Sequence, residues 1–330
     1  YGYATKALCC LENMQLEGIF PNTFTFVCSL KACGIIQSIE KGSDIHAEID
    51  SKGLLKRNIF LRSTLIDMYA KFGLLAKAQE LFDEFPIQNV VLWTSLIAGY
   101  AEHECGAEAL HWFTKMQFEG IPPNAVTFIC SLKACGSIGA TIKGREIHAD
   151  IERRGLERDI VIGTTLVDMY ARCECLDVAL NMFEKLSMRD YVSWNALITG
   201  YAQLGRHANV FSFFNRMIHE GVEPDVVTFL VVLGVCSQAG MFAKGQMYFE
   251  AMSKHYGIIP ISKHYYCMID LLGRAGQLQE AVAMLETMPF QPDHVTWNSI
   301  LGACQKWGDP NLAKHVFDHA LGLDERRAYL

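Results

Sequence analysis

Phe26-Val27-Cys28-Ser29-Leu30-Lys31-Ala32-Cys33-Gly34 returns as Phe128-Ile129-Cys130-Ser131-Leu132-Lys133-Ala134-Cys135-Gly136, 102 residues later. Asp67-Met68-Tyr69-Ala70 returns as Asp168-Met169-Tyr170-Ala171, and Trp93-Thr94-Ser95-Leu96-Ile97 as Trp194-Asn195-Ala196-Leu197-Ile198, each 101 residues on. Self-similarity at a fixed interval marks a stacked array of small units rather than a closed globule. An array binds along its length, so function belongs to positions that differ from copy to copy.

Each unit reads as a helical hairpin. Trp93, Leu96, Ile97 and Tyr100 follow helical spacing, as do Ala109, Leu110, Phe113 and Met116. Gly120-Ile121-Pro122-Pro123-Asn124 closes that unit and Gly221-Val222-Glu223-Pro224-Asp225 closes its copy. One hairpin cannot cover its own apolar face, so neighbours must stack. The units fall at 23–58, 59–89, 90–124, 125–159, 160–190, 191–225, 226–261, 262–293 and 294–330. Residues 1–22 align with the second half of a further unit, so the chain is expected to be cut at both ends, with any transit peptide outside it.

Composition limits the function classes. The chain has 330 residues, 51% apolar and 20% charged, which gives a large core and too little charge for disorder. No apolar run is long enough to span a bilayer. A net charge of −7 leaves little general attraction for phosphate. Among 12 cysteines, Cys33, Cys135, Cys236 and Cys304 are each the eleventh residue of a unit, as expected of small residues where helices pack closely. No Cys-x-x-Cys occurs, and a long array does not need a disulfide framework, so a reducing compartment is expected.

Units of about 35 residues that open [Val/Tyr]-Val-x-Trp-[Thr/Asn] and close Gly-[Ile/Val]-x-Pro-[Asn/Asp] resemble pentatricopeptide repeats, a class that reads RNA one base per repeat. The cycling lengths resemble the plant subclass of standard, long and short repeats. In that scheme 23–58 and 125–159 are long, 59–89 and 160–190 short, and 90–124 and 191–225 standard. Residues 226–261 and 262–293 are then a variant long and a variant short repeat, and Trp297-Asn298-Ser299-Ile300-Leu301-Gly302-Ala303-Cys304 opens a C-terminal extension of the E type. The tetratricopeptide repeat, a protein-binding scaffold, is the rival; its Trp-x2-Leu-Gly-x2-Tyr core is absent.

The resemblance implies an all-α, right-handed solenoid of stacked helix-turn-helix repeats that binds single-stranded RNA in a mitochondrion or chloroplast. It further implies a specificity factor for cytidine-to-uridine editing, working with a deaminase supplied in trans or by residues beyond Leu330; splicing or transcript stability is the alternative. In this family the fifth and last residues of a repeat address one base. The pairs here are Ser63 with Asn89, Thr94 with Asn124, Thr164 with Asp190, and Asn195 with Asp225. An ionised Asp only accepts hydrogen bonds and wants a ring nitrogen that carries hydrogen, as in guanine or uracil. An Asn can donate to a bare ring nitrogen, as in adenine or cytosine. The resemblance assigns Ser or Thr at the fifth position to purines and Asn to pyrimidines, giving A, A, one unread base, G, U. Asn and Asp are equally the preferred helix N-caps. In the long repeats Asn58 pairs with Val27 and Asp159 with Ile129, whose side chains cannot hydrogen-bond, so capping alone is expected there.

Second residues Phe60, Val91, Val126, Val161, Val192 and Val227 are expected to sandwich bases or to pack. Lys71, Arg172 and Arg274, each the thirteenth residue of a short repeat, are weak candidates for phosphate. No catalytic residue, metal or cofactor is expected in the chain. His46-Ala47-Glu48 matches half of a deaminase zinc motif, but no Pro-Cys-x-x-Cys follows and the next long repeat has His148-Ala149-Asp150.

Overall fold

A computed structural model describes residues 2–56, 58–84 and 88–317, and every regular element among them is helical. The chain divides into two compact units, Tyr1–Cys175 and Leu176–Leu330. The first holds α1 (Gly2–Leu16), α2 (Thr23–Ile36), α3 (Ile39–Ser51), α4 (Ile59–Lys71), α5 (Leu75–Asp83), α6 (Val90–Glu102), α7 (Gly106–Phe118), α8 (Ala125–Ile138), α9 (Thr141–Arg153) and α10 (Ile160–Arg172). The second holds α11 (Leu176–Lys185), α12 (Tyr191–Gln203), α13 (His207–His219), α14 (Val226–Ala239), α15 (Phe242–Lys254), α16 (Ser262–Ala275), α17 (Leu278–Thr287) and α18 (His294–Trp307).

Within the first unit the leading helices α2, α4, α6, α8 and α10 pack side by side in chain order. Trailing helices α5, α7 and α9 each contact their own leading helix and the next. The second unit repeats the plan, with α12, α14, α16 and α18 as the leading row and α13, α15 and α17 behind it. Within each unit this is the all-α solenoid arrangement expected from the repeats.

Local chemistry starts every leading helix at the first residue of a sequence unit. Asn22, Asn58, Asn89, Asn124 and Asp159 in the first unit, and Asp190, Asp225 and Asp293 in the second, each accept a backbone N–H of the first turn through a side-chain oxygen. Such caps contribute about 0.5–2 kcal/mol each. The hairpin turn falls at the fifteenth position, where the backbone is left-handed: Gly139 has φ 67° and Gly240 φ 65°. Three units place a residue with a side chain there, Gln37, Glu104 and Glu174.

Packing repeats as well. Phe82 meets Trp93 edge-on with ring centroids 4.8 Å apart, and Phe183 meets Trp194 at 4.6 Å. Each aromatic pair adds about 0.5–1.5 kcal/mol beyond its buried area. Cys33, Cys135, Cys236 and Cys304 are all buried. Burial pushes the Cys135 thiol up to about 12 and Cys236 up to about 11, so they are inert core residues. His46 Nδ1 lies 2.9 Å from Tyr69 Oη, and His148 Nδ1 lies 2.9 Å from Tyr170 Oη. The half-motif at His46 therefore belongs to a long-to-short packing joint. No group of three potential metal ligands occurs among the described residues.

Candidate nucleic-acid interface

The fifth residue of a leading helix sits on its first turn, and the last residue of the unit caps the next leading helix. Neighbouring helices thus place the two ends in one row. Ser63, Thr94 and Thr164 in the first unit, and Asn195 in the second, are nearly buried, each 8–9% exposed. Asn124 and Asp190 are exposed, and Asn89 and Asp225 half-buried.

Capping uses one side-chain atom of each of these residues and spares the other. Asn89 Oδ1 accepts from Val91 N and Leu92 N, both at 3.1 Å. Asn124 Oδ1 accepts from Thr127 N at 2.9 Å. A backbone N–H demands an acceptor, so the oxygen must face the helix, and Nδ2 is left to donate outward. Asp190 Oδ1 accepts from Ser193 N at 2.9 Å, and Asp225 Oδ1 from Thr228 N at 2.8 Å. In both, Oδ2 is left to accept. The cap geometry therefore turns the one atom that distinguishes Asn from Asp away from the helix.

The pairs differ in how tightly their members are joined. Thr94 Oγ1 lies 2.7 Å from Thr127 Oγ1, which lies 2.9 Å from Asn124 Oδ1. Asn195 Nδ2 donates directly to Asp225 Oδ1 at 2.9 Å, and Thr228 Oγ1 donates to Asn195 Oδ1 at 2.6 Å. Ser63 instead donates to Phe60 O on its own helix at 3.1 Å. Among the described residues, the buried Thr164 hydroxyl has no hydrogen-bond partner. Thr164 lies in the first compact unit and Asp190 in the second. In the long repeat, Asn58 Nδ2 turns back to Thr23 Oγ1 at 3.4 Å, and Val27 and Ile129 are half-buried apolar residues. Near the C-terminus, the cap position of α16 is Ile261, and His264 accepts its backbone N–H through Nδ1 at 3.1 Å.

The second residues lie open to solvent. Phe60 is 68% exposed, and Val91, Val126, Val161, Val192 and Val227 are 39–58% exposed. An apolar contact surface is therefore left on each leading helix that carries one of them; α16 has Lys263 at that position. Two residues outside that set, Phe24 and Val295, hold the same second position at 74% and 60% exposure. Counting from the unit start is the signal that finds them. The buried hydroxyls of Thr127 and Thr228 lacked any such signal, because their role depends on a contact with the preceding repeat.

The three expected phosphate cations are already ion-paired one helical turn back. Lys71 meets Asp67 at 2.8 Å, Arg172 meets Asp168 at 2.9 Å, and Arg274 meets Asp270 at 2.8 Å. Each is partly exposed, so the pairing is screened, but the net charge offered to a phosphate is close to zero.

Comparison with known proteins gives a consistent likeness. The PPR repeat family model matches residues 88–137 and 189–238, and the PPR repeat model matches 62–89, 164–191, 263–290 and 295–322. The chain is 37% identical over 333 aligned residues to the chloroplastic pentatricopeptide repeat-containing protein CRR2 of Arabidopsis thaliana, covering 99% of this chain and 50% of that protein. It is 34% identical to a mitochondrial pentatricopeptide repeat-containing protein of the same plant, covering 96% of this chain and 56% of that one. The chain thus spans about half the length of the curated relatives it matches. Among solved structures, the pentatricopeptide repeat protein PPR10 in complex with an 18-nt psaJ RNA element superposes with a TM-score of 0.76 at 19% identity, over 97% of this chain and 48% of that one. That likeness concerns the fold.

Proposed function

Because this chain belongs to the pentatricopeptide repeat family, we propose that it binds single-stranded RNA by sequence, one base per readable repeat. The observation that carries this is the outward Nδ2 or Oδ2 left by each capping bond at Asn89, Asn124, Asp190 and Asp225. Outward donors at Asn89 and Asn124 suit adenine N1. Outward acceptors at Asp190 and Asp225 suit guanine N1–H and uracil N3–H.

With the protein N-terminus toward the RNA 5′ end, the register is A, A, one unread base, G, U. The unread base faces Ile129 and Asp159. Exposed Phe24 and Phe60, with the valines at the same position, supply the stacking surface. An aromatic stack contributes about 1–3 kcal/mol per base, and a valine less. The net charge of −7 and the paired cations make stacking and base contact carry more of the affinity than phosphate attraction.

The repeat lengths resemble the subclass of standard, long and short repeats, and on that resemblance the bound RNA is an organellar transcript. The relatives named chloroplastic and mitochondrial support an organelle without choosing one. The purpose we assign is to place a separate cytidine deaminase on one cytidine; no cofactor is assigned to this chain. Titrating the chain with a fluorescent RNA carrying A-A-N-G-U and with a permuted control tests the binding. Tighter binding to the first RNA is expected; equal affinity refutes sequence reading. Sequencing organellar transcripts from a plant lacking the gene tests the editing role. One cytidine left unconverted is expected; a defect confined to splicing or transcript level assigns the protein there instead.

A further inference from the structure

Two buried hydroxyls stand behind the reading pairs of the standard repeats. Thr127 and Thr228 are each the third residue of the unit that follows, and each is 0% exposed. Neither can touch a base. We infer that Thr127 and Thr228 are positioning residues that fix which hydrogen-bonding group each reading pair turns outward, and so set its base specificity. This rests on the base-reading role proposed above.

The inference follows from counting protons. Asp225 Oδ1 accepts from Asn195 Nδ2 at 2.9 Å, so the nitrogen of Asn195 faces Asp225. Thr228 Oγ1 then donates to Asn195 Oδ1 at 2.6 Å and receives Asp225 N–H at 3.1 Å. Both ends of the Asn195 amide are tied, and it cannot turn over. One Nδ2 hydrogen and Asp225 Oδ2 remain unused. A donor beside an acceptor matches a ring N–H beside a carbonyl, which is the edge of uracil.

The other joint reaches the opposite polarity. Asn124 Oδ1 can only accept, and the Thr127 hydroxyl lies 2.9 Å from it. Thr94 Oγ1 has two partners, Thr127 Oγ1 and Val90 O of its own helix, each at 2.7 Å, and its single proton is engaged by one of them. Thr94 is left with a lone pair outward, beside Asn124 Nδ2, which donates. An acceptor beside a donor matches the amino group and bare ring nitrogen of adenine. A buried hydroxyl at the same unit position thus stands behind two opposite readings, joined to the fifth residue in both. At the short-to-standard joint inside the first unit the third residue is Leu92, which has no hydroxyl, and Ser63 bonds its own helix.

The test replaces Thr228 by Val, which keeps the shape and removes the hydroxyl, and by Ser, which keeps the hydroxyl. Affinities of the full chain are measured for A-A-N-G-U and for A-A-N-G-C. Thr228→Val should lower the U-over-C ratio about five- to tenfold, leave the preference for A at the Ser63/Asn89 base unchanged, and be reversed by Thr228→Ser. Thr127→Val provides a second site, where the preference for A over G at the Thr94/Asn124 base should fall. A wild-type chain that does not distinguish U from C sinks base reading itself. A wild type that does, with an unchanged ratio in Thr228→Val, overturns the positioning role alone. So does a loss in Val that Ser fails to restore.

Discussion

The side-chain amide of Asn195 donates to Oδ1 of Asp225 at 2.9 Å, so the two groups assigned to one base are bonded to each other before any base arrives. Asp225 still caps α14 through the same oxygen. Replacing Asp225 by Asn keeps a capping oxygen and changes only the outward atom, from acceptor to donor. Asp225→Asn should therefore exchange the preference for uracil for cytosine, by about 1–3 kcal/mol on the scale of base readout in DNA. The melting temperature should move little, since Asp and Asn cap almost equally well. Parallel RNA titrations and thermal melts check both halves.

Asn58 separates capping from reading. Its Oδ1 accepts from Phe60 N at 3.0 Å and Leu61 N at 3.3 Å, while its partner position holds Val27. Asn58→Ala should cost about 0.5–2 kcal/mol of stability and leave base preferences at the other repeats intact. Chemical denaturation alongside RNA titration measures this.

Gln37, Glu104 and Glu174 hold a left-handed backbone, with φ 55°, 59° and 61°, where six other units carry glycine. All three side chains are exposed. The left-handed region costs a residue with a Cβ about 1–2 kcal/mol, part of which glycine gives back in unfolded-chain entropy. Glu104→Gly and Glu174→Gly should each stabilise the chain by about 0.5–1 kcal/mol, read as a raised unfolding midpoint in urea.

Lys71 and Arg172 are held by Asp67 and Asp168. If these cations face the RNA backbone, Asp67→Asn and Asp168→Asn should tighten RNA binding at low salt. The slope of log affinity against log salt should steepen by up to about 0.7 for each cation released. An unchanged slope would place them away from phosphate.

His264 introduces a pH dependence in the second unit. It is fully buried; Nδ1 accepts Ile261 N–H, and Nε2 lies 2.9 Å from Val226 O, to which it donates. Burial holds its pKa below the ordinary value, since a second ring proton would point at an N–H. The unfolded chain therefore takes up the proton first. The stabilisation is complete above about pH 6.5 and is lost as pH falls from there through the lowered folded value. His264→Thr, the residue that four other units carry at the same third position, should flatten the melting temperature between pH 7.5 and 5.5 relative to wild type, both values lying about one unit either side of the histidine value.

The fold was legible because two signals coincide. The 101- and 102-residue offsets divide the chain, and Asn or Asp at every division but the one before α16 starts a helix, so the leading helices among the described residues begin where the units do. The cap-and-reader ambiguity at Asn124 or Asp190 was not resolvable from residue type. It turns on which oxygen faces the helix, a matter of side-chain rotamer. The same holds for Lys71, whose neighbour Asp67 is visible in the sequence but whose ion pair depends on geometry. Thr127 and Thr228 were hidden more deeply, because their partners Thr94 and Asn195 lie 33 positions earlier on another helix.

The most direct measurement is a base-swap experiment at Asp190, whose Oδ1 caps α12 and whose Oδ2 is left outward. Wild type and Asp190→Asn are each titrated with A-A-N-G-U and A-A-N-A-U RNA. Wild type should favour G and Asp190→Asn should favour A, a crossed preference with both proteins equally folded. Affinities that follow the protein variant but ignore the base, or that ignore both, would show that Asp190 is a helix cap and nothing more.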